Sequence, residues 1–172
     1  VNTKGTLYGS RAAAAQMVAQ GHGHIINIAS LAGIAPVPGI ALYSASKHAV
    51  RGFSLAIAQE LRPRGVHVTV ISPDAVETPM LTKQMDYDAA AFTFSNPRPL
   101  TVHDLERAII DRALVERPLE ITLPESRGWL ARLSAALPEL VWTLGPVIRS
   151  RGLRNQAERR RERRQRKNET DP

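Results

Sequence analysis

Two side chains four residues apart offer the most direct chemistry in this chain. They are the phenol of Tyr43 and the ammonium of Lys47, in the run Tyr43-Ser44-Ala45-Ser46-Lys47. On a helix, positions i and i+4 share a face, so both heads can point into one site. A lysine cation near a tyrosine hydroxyl favours the phenolate and lowers the phenol pKa. A tyrosine tuned in this way serves as a general acid or base. Alone, the pair also has a bland reading, a surface tyrosine beside a solvated lysine, because a short motif is only a hypothesis. Its neighbours decide the matter. Ser30 precedes Tyr43 by thirteen residues, Asn2 precedes Ser30 by twenty-eight, and the segment from Pro73 to Thr78 follows.

The elements that must position these residues can be read from pattern. Residues 2–20 predict a helix, with an alanine run at 12–15 and Gly21 as its stop. Residues 23–30 predict a buried strand ending at Ser30, short, apolar and bounded by glycine. A loop rich in Gly and Pro covers 31–42. A second helix is expected over 44–61, with Val50, Phe53, Ile57 and Leu61 as its apolar stripe and Pro63 and Gly65 behind it. Phe53 and Ile57 are read as core or subunit-interface residues. Residues 66–71 form a second buried strand, stopped by Pro73. Residues 79–100 read as an irregular excursion. Thr101 to Asp104 open a further helix with a capping-box pattern, running to about Glu116. Residues 119–123 make a third strand. Alternating helices and strands argue for a parallel sheet with crossover helices. Ser30 and the 73–78 loop would then flank the crevice at the carboxyl ends of the strands, where such sheets bind ligands.

Composition bounds the remaining choices. The chain has 172 residues, enough for one domain with a real core. It has no cysteine, which excludes disulfides and thiolate metal sites. His22 and His24 flank Gly23 without a nearby acid or thiol, and are read as solvated loop residues rather than a metal pair. No apolar run has the length of a membrane span. The chain opens on Val1 rather than Met, which suggests a piece of a longer protein. Its net charge of +7 is concentrated at the far end. Residues 149–172 hold ten Arg/Lys against four Asp/Glu, a net of +6. Between these, residues 126–148 are apolar, with Trp129, Leu133, Trp142 and Leu144 among them.

The run Ile26-Asn27-Ile28-Ala29-Ser30 through Tyr43-Ser44-Ala45-Ser46-Lys47 resembles the active-site segment of the short-chain dehydrogenases/reductases. The likeness covers roughly residues 1–125 and corresponds to the C-terminal part of that fold. It implies an α/β fold, a partial Rossmann-like doubly wound parallel sheet, followed by a helical basic C-terminal extension. The expected organisation is 1–125 for the partial domain, 126–148 for an apolar helical extension and 149–172 for a disordered basic tail. The resemblance implies an oxidoreductase that interconverts an alcohol and a carbonyl with NAD or NADP. Tyr43 is implied as general acid/base, and Lys47 as the group that lowers its pKa and binds the nicotinamide ribose. Ser30 is implied to orient the substrate oxygen, and Asn2 to hold a water in a proton relay. Ser72-Pro73-Asp74-Ala75-Val76-Glu77-Thr78 matches the family's Pro-Gly-x-x-x-Thr loop, so Pro73, Asp74, Val76 and Thr78 are implied at the cofactor. Asp74 replaces the usual glycine there, adding bulk and charge where backbone approaches the cofactor.

These residues contain no glycine-rich turn of the kind that cradles a pyrophosphate. Two readings follow: an active enzyme of which this is the C-terminal portion, or a non-catalytic fragment or degenerate relative. The first strand is then expected to expose an apolar edge. Such proteins are small-molecule enzymes of the cytoplasm that form homodimers or homotetramers through the two helices beside the active-site strand. For the basic end three readings stand. It is a solvated tail, a membrane-surface element with the Trp/Leu-rich stretch over residues 126–172, or a nucleic-acid contact. No aromatic is interleaved with the arginines, so base stacking has no support. The apolar stretch also suits a cover over the pocket of a lipophilic substrate.

Overall fold

The computed structural model describes residues 2–170, apart from the side chains of Leu140 and residues 166–170; Val1, Asp171 and Pro172 lie outside the described residues. A three-stranded parallel sheet organises the chain, in the order β1-β2-β3. These strands are Gly23–Ile28, Val66–Pro73 and Glu120–Leu123. β2 is central, and its β-branched run explains why. Val66, Thr69, Val70 and Ile71 are all fully buried, as a strand covered on both faces requires. β1 and β2 align Gly23 with Val66 and Ile28 with Ile71, while β2 and β3 align Val70 with Glu120. The register brings the ends of β1 and β2 level, so Ser30 and Pro73 emerge side by side.

Helix α1, Asn2–Gln20, and helix α2, Ala41–Leu61, pack against each other and the sheet. α2 buries Val50, Ser54 and Ala58, spaced by four residues along one face. It ends through a 3-10 turn, Arg62–Arg64, and Gly65 at φ 77°, the left-handed conformation that glycine reaches without a Cβ penalty. A buried polar chain ties α1, β1 and α2 together. Ser10 Oγ donates to Asn27 Oδ1 at 3.2 Å, and Asn27 Nδ2 donates to Ser54 Oγ at 2.9 Å. Glu120 on β3 links two further helices. Arg51 of α2 grips it through two nitrogens at 2.6 and 3.0 Å, and Arg132 reaches it at 3.1 Å.

The excursion after β2 has more structure than its prolines suggest. Thr78 caps α3, Pro79–Gln84, and a 3-10 segment follows over Asp88–Phe94. α4, Val102–Arg107, starts with the expected capping box of Thr101 and Asp104. It continues through a π-helical turn, Ala108–Ala113, into α5, Leu114–Glu116. After β3 come α6, Glu125–Ala136, and α7, Leu140–Thr170. His24 also differs from its reading as a loop residue. It lies on β1, with Nε2 2.9 Å from Thr69 Oγ1.

The basic segment differs most from expectation. Its charge predicts a disordered tail from 149, yet it is helical through 170. The reason lies in contacts that charge counting does not see. Gln156 is fully buried, and its Nε2 donates to the carbonyls of Gln84, Met85 and Tyr87 at 3.1, 2.9 and 2.9 Å. Asn155 Nδ2 donates to Phe94 O at 2.8 Å, and Arg160 pairs with Asp88 at 2.8 Å. Gly152 lets the helix lie against the 3-10 segment, since a Cβ there would stand 1.9 Å from Ala91 O. Among the described residues, no helix is long and apolar enough to cross a membrane.

Candidate active site

Ser30 leaves β1 and caps a 3-10 turn, Leu31–Gly33. Its Oγ accepts from Ala32 N at 3.2 Å and donates to Pro73 O at 3.4 Å. That turn presses on α2 beside the lysine: a Cβ on Gly33 would stand 2.6 Å from Lys47 O. Glycine at 33 therefore sets how close the serine comes to the Tyr43–Lys47 face. Tyr43 lies in the first turn of α2, because the helix begins at Ala41. Lys47 follows one turn later. Its Nζ donates to Ile28 O at 3.0 Å and lies 5.7 Å from the centre of the Tyr43 ring.

The electrostatics depart from the expectation of a lysine-lowered phenol. Burial raises the Tyr43 pKa above the ordinary phenol value of 10.0, and a hydrogen bond with Ser30 pulls the other way without overcoming it. Burial also lowers the Lys47 pKa below that of an ordinary lysine. Burial thus favours the neutral phenol of Tyr43, and the Lys47 ammonium donates to the β1 carbonyl of Ile28.

The 73–78 loop is fixed from two sides. Leu100 pairs with it through backbone, Glu77 N to Leu100 O and Leu100 N to Ala75 O, each at 2.8 Å. Asp74, the residue that departs from glycine, has its carboxylate engaged. Arg127 of α6 pairs with it at 2.7 Å, and Asn96 Nδ2 donates to it at 3.3 Å. Arg127 also donates to Ser95 Oγ at 2.9 Å. The Thr78 hydroxyl is committed as well, accepting from Leu81 N at 3.4 Å as the cap of α3.

Ser30, Tyr43 and Lys47 line one cavity of about 590 Å³ together with Pro73, Asp74, Val76 and Thr78. The structure thus brings seven of the eight anticipated site residues to one wall. The eighth, Asn2, is exposed at the start of α1 and is not part of that lining. Its helix does reach the site's back, where Thr3 Oγ1 donates to Ser46 O at 3.4 Å. The opposite wall is apolar and comes from elements whose role the sequence left open. Leu130 and Leu133 of α6, and Val141, Leu144 and Ile148 of α7, face the cavity. Arg127 was not anticipated, since no local pattern ties it to Asp74.

A family model described as short chain dehydrogenase matches residues 1–88. An oxidoreductase of Staphylococcus saprophyticus, itself uncharacterised, is 39% identical over 116 residues, covering 61% of this chain and 50% of that protein. The chain spans about half the length of the curated relatives it matches. Among solved structures, a protein of Beutenbergia cavernae described as a putative NAD(P)-dependent gluconate 5-dehydrogenase with bound NADP superposes with a TM-score of 0.63. It is 31% identical, and the match covers 76% of this chain and 55% of that one. A short chain dehydrogenase of Mycobacterium paratuberculosis bound to NAD gives a TM-score of 0.59 at 27% identity, over 71% and 51% of the two chains.

Proposed function

Because the chain belongs to the short-chain dehydrogenase family, we propose that it carries the proton-transfer side of an NAD(P)-dependent oxidoreductase site that interconverts an alcohol and a carbonyl on a lipophilic substrate. The observation that carries this reading is the single cavity shared by Ser30, Tyr43 and Lys47 at the carboxyl ends of β1 and β2. The residues fit the nicotinamide end of such a cofactor. Lys47 and Tyr43 face the same space as the 73–78 loop, and the lining carboxylate, Asp74, is already neutralised by Arg127. When bound, the nicotinamide supplies or accepts the hydride, the chemistry that belongs to the cofactor.

The chain's own residues handle the rest. The Ser30 hydroxyl orients the substrate oxygen. Tyr43, neutral and half-buried, gives its proton to that oxygen in the reducing direction and takes it back in the oxidising one. Lys47, whose Nζ donates to Ile28 O, would hold the ribose hydroxyls of that cofactor. Val76 and Thr78 would meet the nicotinamide carboxamide, and Asn2, at the exposed start of α1, would hold a water of a proton relay. The apolar wall from α6 and α7 excludes water and takes the substrate's carbon skeleton. The setting is a cytoplasmic homodimer or homotetramer joined through α1 and α2.

The test is NAD(P)H-linked turnover on a panel of aliphatic and cyclic ketones. Tyr43→Phe is expected to lower kcat about 10²–10⁴-fold, the usual worth of a positioned acid/base. Full turnover in that variant removes the assignment. Because these residues lack the glycine-rich turn, weak binding of NADH and NADPH by them alone is expected under both readings, an active enzyme's C-terminal portion or a relative without catalysis; tight binding of either would overturn the expectation that the dinucleotide site here is incomplete.

A further inference from the structure

α6 and the start of α7 leave large apolar side chains in the open. Trp129 is 70% exposed and Trp142 is 87% exposed, with Leu137 and Val147 also exposed. Leu130, Leu133 and Leu144 are at least half exposed and at the same time line the cavity. The exposed patch and the mouth of the cavity are therefore one surface. Scattered apolar residues need no explanation, but two tryptophans and a leucine cluster around an opening do.

α7 carries the patch into a cationic stripe. Its inner side is fixed by buried Gly145, Gly152 and Gln156. Leu144, Val147, Arg151 and Arg154, at spacings of three, four and three, fall on the opposite side. Some arginines of this helix serve the fold, Arg159 with Glu77, Arg160 with Asp88 and Arg163 with Asp86. Arg149, Arg151 and Arg154 are exposed and form no ion pair with a carboxylate among the described residues. The nearby acids on α7 are Glu158 and Glu162, further along the helix. Trp129 beside leucines, followed by exposed arginines on the Leu144–Val147 face, suits the boundary between acyl chains and anionic headgroups.

We propose that α6 and the first half of α7 dock on an anionic lipid bilayer, with Trp129, Leu144 and Val147 at the interface, Arg151 and Arg154 on the headgroups, and the cavity mouth turned to the membrane. An apolar substrate then enters from the bilayer without crossing water. This last step rests on the reading of the cavity as a substrate site; the docking itself does not.

Of the chain's two tryptophans, Trp129 reports on docking directly. The protein is mixed with vesicles of phosphatidylcholine alone, or of phosphatidylcholine with phosphatidylserine, and followed by co-sedimentation and tryptophan emission. Expected are binding and a blue shift on the mixed vesicles, quenching by brominated acyl chains, and release by salt. Replacing Arg151 and Arg154 by Gln should weaken binding about fivefold per arginine. These positions are exposed, so circular dichroism should be unchanged. Absence of any vesicle-dependent change overturns the proposal. So does a blue shift that depends on protein concentration without vesicles, which would show a second copy covering the face. Vesicle binding by a protein without turnover keeps the docking and removes the substrate reading; turnover without vesicle binding does the reverse.

Discussion

The Tyr43 hydroxyl sits between two opposing influences, and burial prevails over the Ser30 hydrogen bond. Titration by near-ultraviolet absorbance should therefore show one of the three tyrosines ionising above pH 10.0, absent in Tyr43→Phe. A Tyr43 that ionises below that value would restore the lysine-lowered phenol. Asp74 is a second residue whose surroundings decide its effect. Truncating Arg127 leaves a carboxylate that is 11% exposed without its cation, at a cost of about 1–3 kcal/mol. Arg127→Ala should thus lower stability in urea, while Asp74→Gly together with Arg127→Ala recovers most of the loss. Additive losses in that double-mutant cycle would show that the pair is not coupled. Ser30, Tyr43 and Lys47 were legible in sequence because a strand end and one helical turn fix them locally. The Asp74–Arg127 pair was not, because it joins a loop to a helix across the sheet. Burial of Tyr43, which works against the lowering expected from Lys47, could not be read from spacing alone.

At the level of elements, Glu120 ties β3 to α2 and α6. Burial raises its pKa, but the hydrogen bonds from Arg51 and Arg132 outweigh burial and hold it below the ordinary glutamate value of 4.5. A carboxylate with a lowered folded-state pKa stabilises the fold above its unfolded pKa. That contribution is complete above about pH 4.5 and is lost as pH falls through the lower folded value. Acid unfolding should be less steep in Glu120→Gln, which is also expected to lose about 2–3 kcal/mol at neutral pH. An unchanged acid transition would remove Glu120 from that role. The α7 contact makes a separate prediction. Gly152→Ala drives a Cβ into Ala91 O, so stability should fall by about 1–3 kcal/mol, measured by thermal unfolding. Elements built on local pattern, the two long helices and the β-branched strands, could be read from sequence. α7 beyond residue 149 could not, since its helicity rests on carbonyls of residues 84–94 and its composition reads as a solvated tail.

At the scale of the whole molecule, β1 forms an edge of the sheet. β2 is paired on both sides, whereas β1, among the described residues, is paired only with β2. Amide exchange should be slowest along Val68–Ile71 and faster on the outward amides of β1. Equal protection on β1 would mean that another strand covers that edge in solution. The partial sheet and its crevice were foreseeable because alternating elements permit few topologies. That the apolar stretch could cover the pocket was foreseeable from its composition; how α7 is held there was not, because its contacts, among them the Gln156 amide, reach residues far away in sequence. That amide has a geometric consequence. Gln156 matches three carbonyls, and one turn away in either direction stand Gly152 and Arg160, so α7 has a single address along its groove. Leu144, on the same helix, lies about 18 Å further back at 1.5 Å per residue. A side chain that never touches the cavity thus indexes how wide it stands, much as a detent fixes the travel of a sliding bolt.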